Sequence, residues 1–359
     1  MDALREDAAL RRLKKNLSIL PGLALVVAIA LAARFTHGRV PPNIGKLVGE
    51  VIFAVGFGLI VGNVFRIPDV TQPGIKFAYQ TLLRTAIVLL GATFSFMTAL
   101  SIGAKAIGMV IFLMALTLTT ATLVGRRLGV PSKLAALIGV GTAVCGNTAI
   151  SATAPVIGAK DEETAFAIAT NTLFGTLAVF AYPILGHAMG LTDAAFGTWA
   201  GTAVNDTSQV VATGFAYSQA AGNVATVVKL TRNTLMGVVI LVMGLAFAQS
   251  GAGRGGSLGH RIKQSVPVFV LGFLGMCLLN SIGVVAWLSH ALGRDLVADA
   301  QFAAKLLILI ALAGVGVGTR LAAMRKIGLK PFVLGLATAL VASGTSLLLI
   351  RLLGAAAPR

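Results

Sequence analysis

Charge is what this chain has least of. Asp, Glu, Lys and Arg make up only 11% of its 359 residues, against 57% hydrophobic. A soluble protein of this length needs far more charge to cover its surface, so a soluble globular fold is excluded. Carboxylates are especially scarce, 12 against 29 Lys and Arg, which leaves a net charge of +17. The bases lie mostly between apolar runs. That placement reads as orientation in a bilayer and argues against a nucleic-acid surface. Cysteine is nearly absent: Cys145 and Cys277 both sit in apolar segments, with no CxxC and no Cys/His cluster. Neither a metal site nor a disulfide is implied. His37, His187, His260 and His290 fall in loops or near a span end and are assigned no role.

What is present is repeated apolar length. Runs of about 20 residues match a bilayer-spanning helix, and the expected fold is an all-α polytopic membrane protein with about 11 spans. They are placed at 17–34, 47–65, 78–101, 105–125, 133–157, 164–186, 195–214, 223–248, 265–288, 301–319 and 331–353. Residues 1–16 form a hydrophilic N-terminal segment, 17–353 the transmembrane region and 354–359 a tail. The first apolar run is read as an uncleaved helix, not a signal peptide, because many spans follow it.

An N-terminus in the cytoplasm puts one side in possession of Arg5, Arg11, Arg12, Lys14, Lys15, Arg66, Lys76, Arg126, Arg127 and Lys133. The same side holds Arg254, Arg261, Lys263, Arg320, Arg325, Lys326 and Lys330. The opposite segments are poorer in bases, and one of them reads KDEE (160–163). Arg34, Arg39 and Lys46 after the first span run against this bias. The expected location is the bacterial inner membrane, with the C-terminus and Arg359 in the periplasm.

The chain repeats itself twice. Residues 91–108 superpose on 316–333 without a gap, Gly91 on Gly316, Gly103 on Gly328 and Lys105 on Lys330. The match extends over segments 84–129 and 309–354. With the expected spans the copies run in opposite directions, the inverted plan of many secondary transporters. Second, "GTAVCGNTAISAT" (141–153) echoes "GTAVNDTSQVVAT" (201–213). In inverted-repeat transporters, helices broken at the bilayer midplane build the substrate and ion site. Unpaired backbone groups in lipid are costly unless protein, ion or water meets them. Gly146, Asn147, Thr148 and Ser151, and Asn205, Asp206, Thr207, Ser208 and Gln209, suit that task. Two parallel spans do not make an inverted pair, so either one segment is re-entrant or the echo reflects shared site chemistry.

Ionisable residues inside spans are expensive and mark function. They are Arg84, Asp206, Lys229, Arg232 and Lys305. Arg84 and Lys305, near span ends, are also placed to snorkel. Lys229 and Arg232 share one helix face and are expected to hold an anion, with helix N-termini assisting. Asp206 is expected to bind the coupling ion, a proton or sodium.

The stretch 139–235, with its order CG, then DT-QVV, then VVKLTR, resembles the YeiH-like family of bacterial inner-membrane proteins, labelled sulfate exporters. The resemblance implies an antiporter-like fold of inverted repeats with broken helices. It highlights Cys145, Gly146, Asp206, Thr207, Gln209, Lys229, Thr231 and Arg232. This chain departs from the family pattern at Asn205, where His is common, and at Asn147–Thr148, where smaller residues stand.

The expected function is secondary transport of a small anion, sulfate-like, sulfonate or carboxylate. Cys145, Gly146, Asn147, Thr148, Ser151, Asn205, Thr207, Ser208, Gln209, Lys229 and Arg232 are the substrate residues, and Asp206 the coupling residue. No cofactor is expected beyond the coupling ion, and a homodimer is compatible with the plan. The rivals are a sodium-coupled importer of an organic anion, an anion channel, a scaffold, and an intramembrane enzyme with Cys145 as nucleophile. The last lacks a nearby histidine base, so no catalytic residue is assigned.

Overall fold

In the computed structural model, residues 2–41, 49–248, 267–324 and 328–353 are described, with 2–17, 248, 323–324 and 353 by backbone alone. Lys46, Arg254, His260, Arg261, Lys263, Arg325, Lys326 and the 354–359 tail lie outside the described residues. Every regular element among the described residues is helical.

The first elements are α1 (Asp2–His37) and α2 (Glu50–Val64). A span then combines α3 (Gln72–Phe77), a π-helical turn (Ala78–Leu82) and α4 (Leu83–Leu90). Next comes α5 (Phe96–Leu128). It begins at Ser95, whose Oγ accepts from the Thr98 amide at 3.0 Å. The turn expected at 102–104 is therefore at Phe94–Ser95, where a capping side chain exists and hydropathy gives no sign.

The segment expected to span 133–157 is two helices, α6 (Ser132–Ala143) and α7 (Asn147–Ile157). They are folded back on one another: Lys133 Nζ, at the start of α6, donates to the carbonyl of Gly158, just past α7, at 2.6 Å. After α8 (Asp161–Ala188), the segment 195–214 behaves likewise. Its arms are α9 (Asp193–Ala203) and α10 (Thr207–Tyr217). Ser218 Oγ donates to Asp193 Oδ1 at 2.6 Å, Tyr217 donates to the Leu191 carbonyl, and the Phe196 and Tyr217 rings stack 3.9 Å apart. Each segment enters and leaves at one end. An arm of 11 or 12 residues reaches about 18 Å, short of the roughly 30 Å apolar core.

The two hairpins open towards opposite ends of α8. The base of the first adjoins Asp161, the base of the second adjoins Ala188, and both tips reach the middle of α8. There Asn171 Nδ2 donates to Asn147 Oδ1 at 2.9 Å, and Gln209 Nε2 donates to the Thr172 carbonyl at 3.1 Å. Residues 160–163 consequently lie at the same end as Lys133, not at the opposite end as expected.

The chain continues through α11 (Gln219–Thr234), α12 (Met236–Ala248), α13 (Val268–Ser281), α14 (Val284–Leu292), α15 (Leu296–Gly318), α16 (Leu321–Met324) and α17 (Leu329–Leu353). α14 bends 69° away from α13. By length and composition, seven of the described helical stretches are able to cross a membrane, or eight with the bent pair taken as one span. The expected eleven therefore drops, because two segments are hairpins and α2, with 15 residues, is short.

Superposing Gly91 on Gly316 also carries Thr93 onto Gly318 and Leu128 onto Leu353. Thr93 and Gly318 each end a helix, and Leu128 ends α5. The end of α5, at Gly125 and Gly129, meets Leu334 and Lys330 at the start of α17, so the two helices are antiparallel neighbours.

Two bundles result. In one, α1, α2, α3–α4, α13 and α15 pack together; Gly58 of α2 meets Gly316 of α15 backbone to backbone, an approach small residues permit between apolar helices. The other gathers α5, both hairpins, α8, α11, α12 and α17.

Candidate functional site

The two tips are breaks of different chemistry. At the first, Val144 (φ −119°, ψ −99°) ends α6 and Gly146 (φ +69°, ψ −130°) begins α7. That second conformation suits glycine alone. A Cβ there would also come within 2.9 Å of Asp206 Cα, Asp206 Oδ2 and Asn171 Nδ2, so the tips touch. At the second, Val204 and Asp206 are extended, and Asp206 caps α10. Its Oδ1 accepts from the Ser208 amide at 3.0 Å and from Ser208 Oγ at 2.7 Å.

Each break leaves carbonyls at the C-terminal end of the first arm, α6 or α9, with no helical partner. Lys229 and Arg232, one turn apart on α11, meet them. Lys229 Nζ donates to Val144 O at 2.8 Å, to Val204 O at 3.1 Å and to Asn205 O. Arg232 Nε donates to Ala143 O at 2.6 Å, and its terminal nitrogens donate to Thr142 O, to Thr202 O at 2.8 Å and to Val204 O at 3.1 Å. Each cation thus bonds both hairpins. Both are buried, at 0% and 2% exposure. Among the described residues neither forms an ion pair with a carboxylate; the partial negative charge at two helix C-termini takes that place.

A cavity of about 400 Å³ lies where the tips face the other bundle. Cys145, Asn147, Thr148, Asp206, Thr207, Ser208 and Gln209 line it, all expected from the sequence. Gly146 supplies the turn that presents them. Ser151 stands one turn further along α7, off the cavity wall, and Asn205 is buried behind it. Lys229 and Arg232, expected to face the cavity, stand behind the tips instead. Cys145 Sγ lies 3.4 Å from Met236 Sδ.

On the opposite wall, sequence reasoning marked Arg84 as a charge inside a span but missed its neighbours. Tyr79 and Gln80 come from the π-helical turn, a feature frequent at functional sites. Arg84 follows on α4, its guanidinium 5.8 Å from the centre of the Phe269 ring. It is the one Lys or Arg on the cavity wall among the described residues. The polar run Tyr79, Gln80, Thr81 and Arg84 inside an apolar stretch was the available signal. Asn233, beside Arg232, also lines the cavity; its Nδ2 donates to Thr207 Oγ1 at 3.2 Å while its buried Oδ1 has no partner among the described residues. No three His, Cys, Asp or Glu side chains gather as a metal centre requires, among the described residues.

Residues 21–335 match the family model described as conserved hypothetical protein 698. The chain is 34% identical over 331 residues to a UPF0324 membrane protein of Nitratidesulfovibrio vulgaris, covering 89% of each chain. It is 31% identical over 345 residues to one of Clostridium tetani, covering 93% of this chain and 97% of that one. Identity to UPF0324 membrane protein Atu0671 of Agrobacterium fabrum is 33% over 313 residues, 87% of each chain. The chain belongs to the UPF0324 family of membrane proteins, the family that its 139–235 stretch resembles.

Proposed function

We propose that the protein is a secondary transporter of a small anion across the bacterial inner membrane, with its N-terminus in the cytoplasm. One observation carries the reading. The N-terminal turns of α7 and α10, arriving from opposite ends of α8, converge on a single cavity. A helix N-terminus offers free N–H groups and partial positive charge to an anion. α7 offers more of them, because Gly146 has no side chain to cap its first turn. Two buried cations, one carboxylate and helix ends of cancelling partial charge leave about one net positive charge at the tips. Arg84 adds to it from the facing wall.

In this reading Asn147, Thr148, Thr207 and Ser208 bind the anion with Arg84, and Asp206 takes up and releases the coupling ion. Lys229 and Arg232 keep the breaks intact from behind. Since each bonds both hairpins, the hairpins move as one body, and alternating access comes from rocking their bundle against the other. The antiparallel repeat segments 84–129 and 309–354 supply the symmetry for the two end states. The cavity has the volume of a small-molecule pocket and exceeds what bare sulfate fills, so sulfonates and carboxylates belong beside it in any screen. Cys145, with thioether and backbone for neighbours, is a wall residue and not a nucleophile.

The test is uptake into proteoliposomes of sulfate, sulfite, small sulfonates and small carboxylates, with and without a pH gradient. Saturable, gradient-driven flux of at least one of them is expected. Flux of none, together with no anion-dependent thermal stabilisation, would overturn the reading, and flux far above carrier turnover would indicate a channel.

A further inference from the structure

The place where the hairpin tips cross is built of oxygen. Val144 O belongs to the first break, and Val204 O and Asn205 O to the second. These three carbonyls converge on one point that is sealed from solvent, and Lys229 Nζ occupies it at 0% exposure. An ammonium has three N–H donors and no acceptor, so three carbonyls meet its capacity. Among the described residues no carboxylate pairs with it. A buried charge without a counter-ion is retained only where its surroundings are strongly favourable. Here the favourable field comes from the C-terminal ends of α6 and α9.

Neutral oxygens at the crossing of two broken helices form the kind of place in which transporters of this plan coordinate a free cation. We infer that this crossing is a monovalent-cation site permanently filled by the side chain of Lys229, so that the protein needs no sodium ion at its hairpin tips. The tether accounts for a second feature. Lys229 enters from α11 and reaches both breaks at once, so the cation cannot leave during the cycle and the tips stay together. Coupling then falls to Asp206 on the cavity side, which leaves the proton as its ligand. This last consequence rests on the transporter reading; the filled cation site does not.

The experiment is thermal unfolding of the purified protein in sodium, methylammonium or choline chloride at equal ionic strength. The wild-type melting temperature is expected to be the same in sodium and choline. Lys229→Ala removes the head group; its melting temperature is expected to fall by about 5 °C or more in choline. Methylammonium, which restores that head group, and sodium are expected to recover it saturably. Equal melting of Lys229→Ala in all three salts would overturn the inference. So would saturable stabilisation of the wild type by sodium, a result obtainable even if the variant fails to fold. Neither readout needs transport, so absence of anion flux would count against the transporter reading alone.

Discussion

Replacing Gly146 with alanine adds one methyl group where the hairpin tips touch. The backbone there has φ +69° and ψ −130°, and holding an L residue in such a region costs about 1–3 kcal/mol. The new Cβ would lie 2.9 Å from Asp206 Cα, Asp206 Oδ2 and Asn171 Nδ2. One of these is backbone and the others belong to side chains held in the tip network, so relief requires the tips to part. Overpacking of this kind adds about 1–3 kcal/mol. Together the terms give a loss of about 2–6 kcal/mol, a drop in melting temperature on the order of 5–15 °C. Gly108→Ala serves as the control, because that glycine lies inside α5 with nothing within 4 Å of an added Cβ. The control is expected to melt at or slightly above the wild-type temperature. Thermal unfolding in detergent, read by intrinsic fluorescence, compares the three proteins directly. If Gly146→Ala melts with Gly108→Ala and retains anion-dependent stabilisation, the tips do not meet as described.

Three further substitutions separate the roles around the cavity. Asp206→Asn preserves an N-cap for α10, so the protein is expected to fold and bind anion yet lose pH-driven flux; unchanged coupling would remove Asp206 from that role. Arg84→Gln is expected to weaken anion binding about tenfold or more, the loss of one charge-assisted contact, with little change in melting temperature. Equal affinity would leave Arg84 a lipid-facing residue. Cys145→Ser is expected to transport at near wild-type rate, and a folded but inert variant would revive a nucleophilic role for this thiol.

The breaks were legible in the sequence because they need particular residues. Gly146 supplies a backbone conformation closed to other side chains, and Asp206 with Ser208 supplies a cap. That these segments turn back was not legible. Two apolar arms of 11 or 12 residues joined at a break have the same length and hydropathy as one span, and the contacts that reveal the fold, Lys133 with Gly158 and Ser218 with Asp193, join residues about 25 apart. The echo of GTAV between the tips, at odds with two parallel spans, agrees with two hairpins opening in opposite directions. Lys229 and Arg232 were recognisable as buried cations, but spacing along α11 cannot say whether their heads face a cavity or the carbonyls behind it. Arg84 was visible as a charge in an apolar run, and its partners across the cavity come from segments far away in sequence.

The account stands on the hairpins, and sidedness tests them most directly. Ser132→Cys and Ala159→Cys, each placed in a background with Cys145→Ser and Cys277→Ala, flank the first hairpin. A membrane-impermeant maleimide applied to oriented vesicles is expected to label both from the same side. Labelling of the two positions from opposite sides would mean that residues 132–157 cross the membrane, and the meeting of two tips at one anion pocket would fall with it.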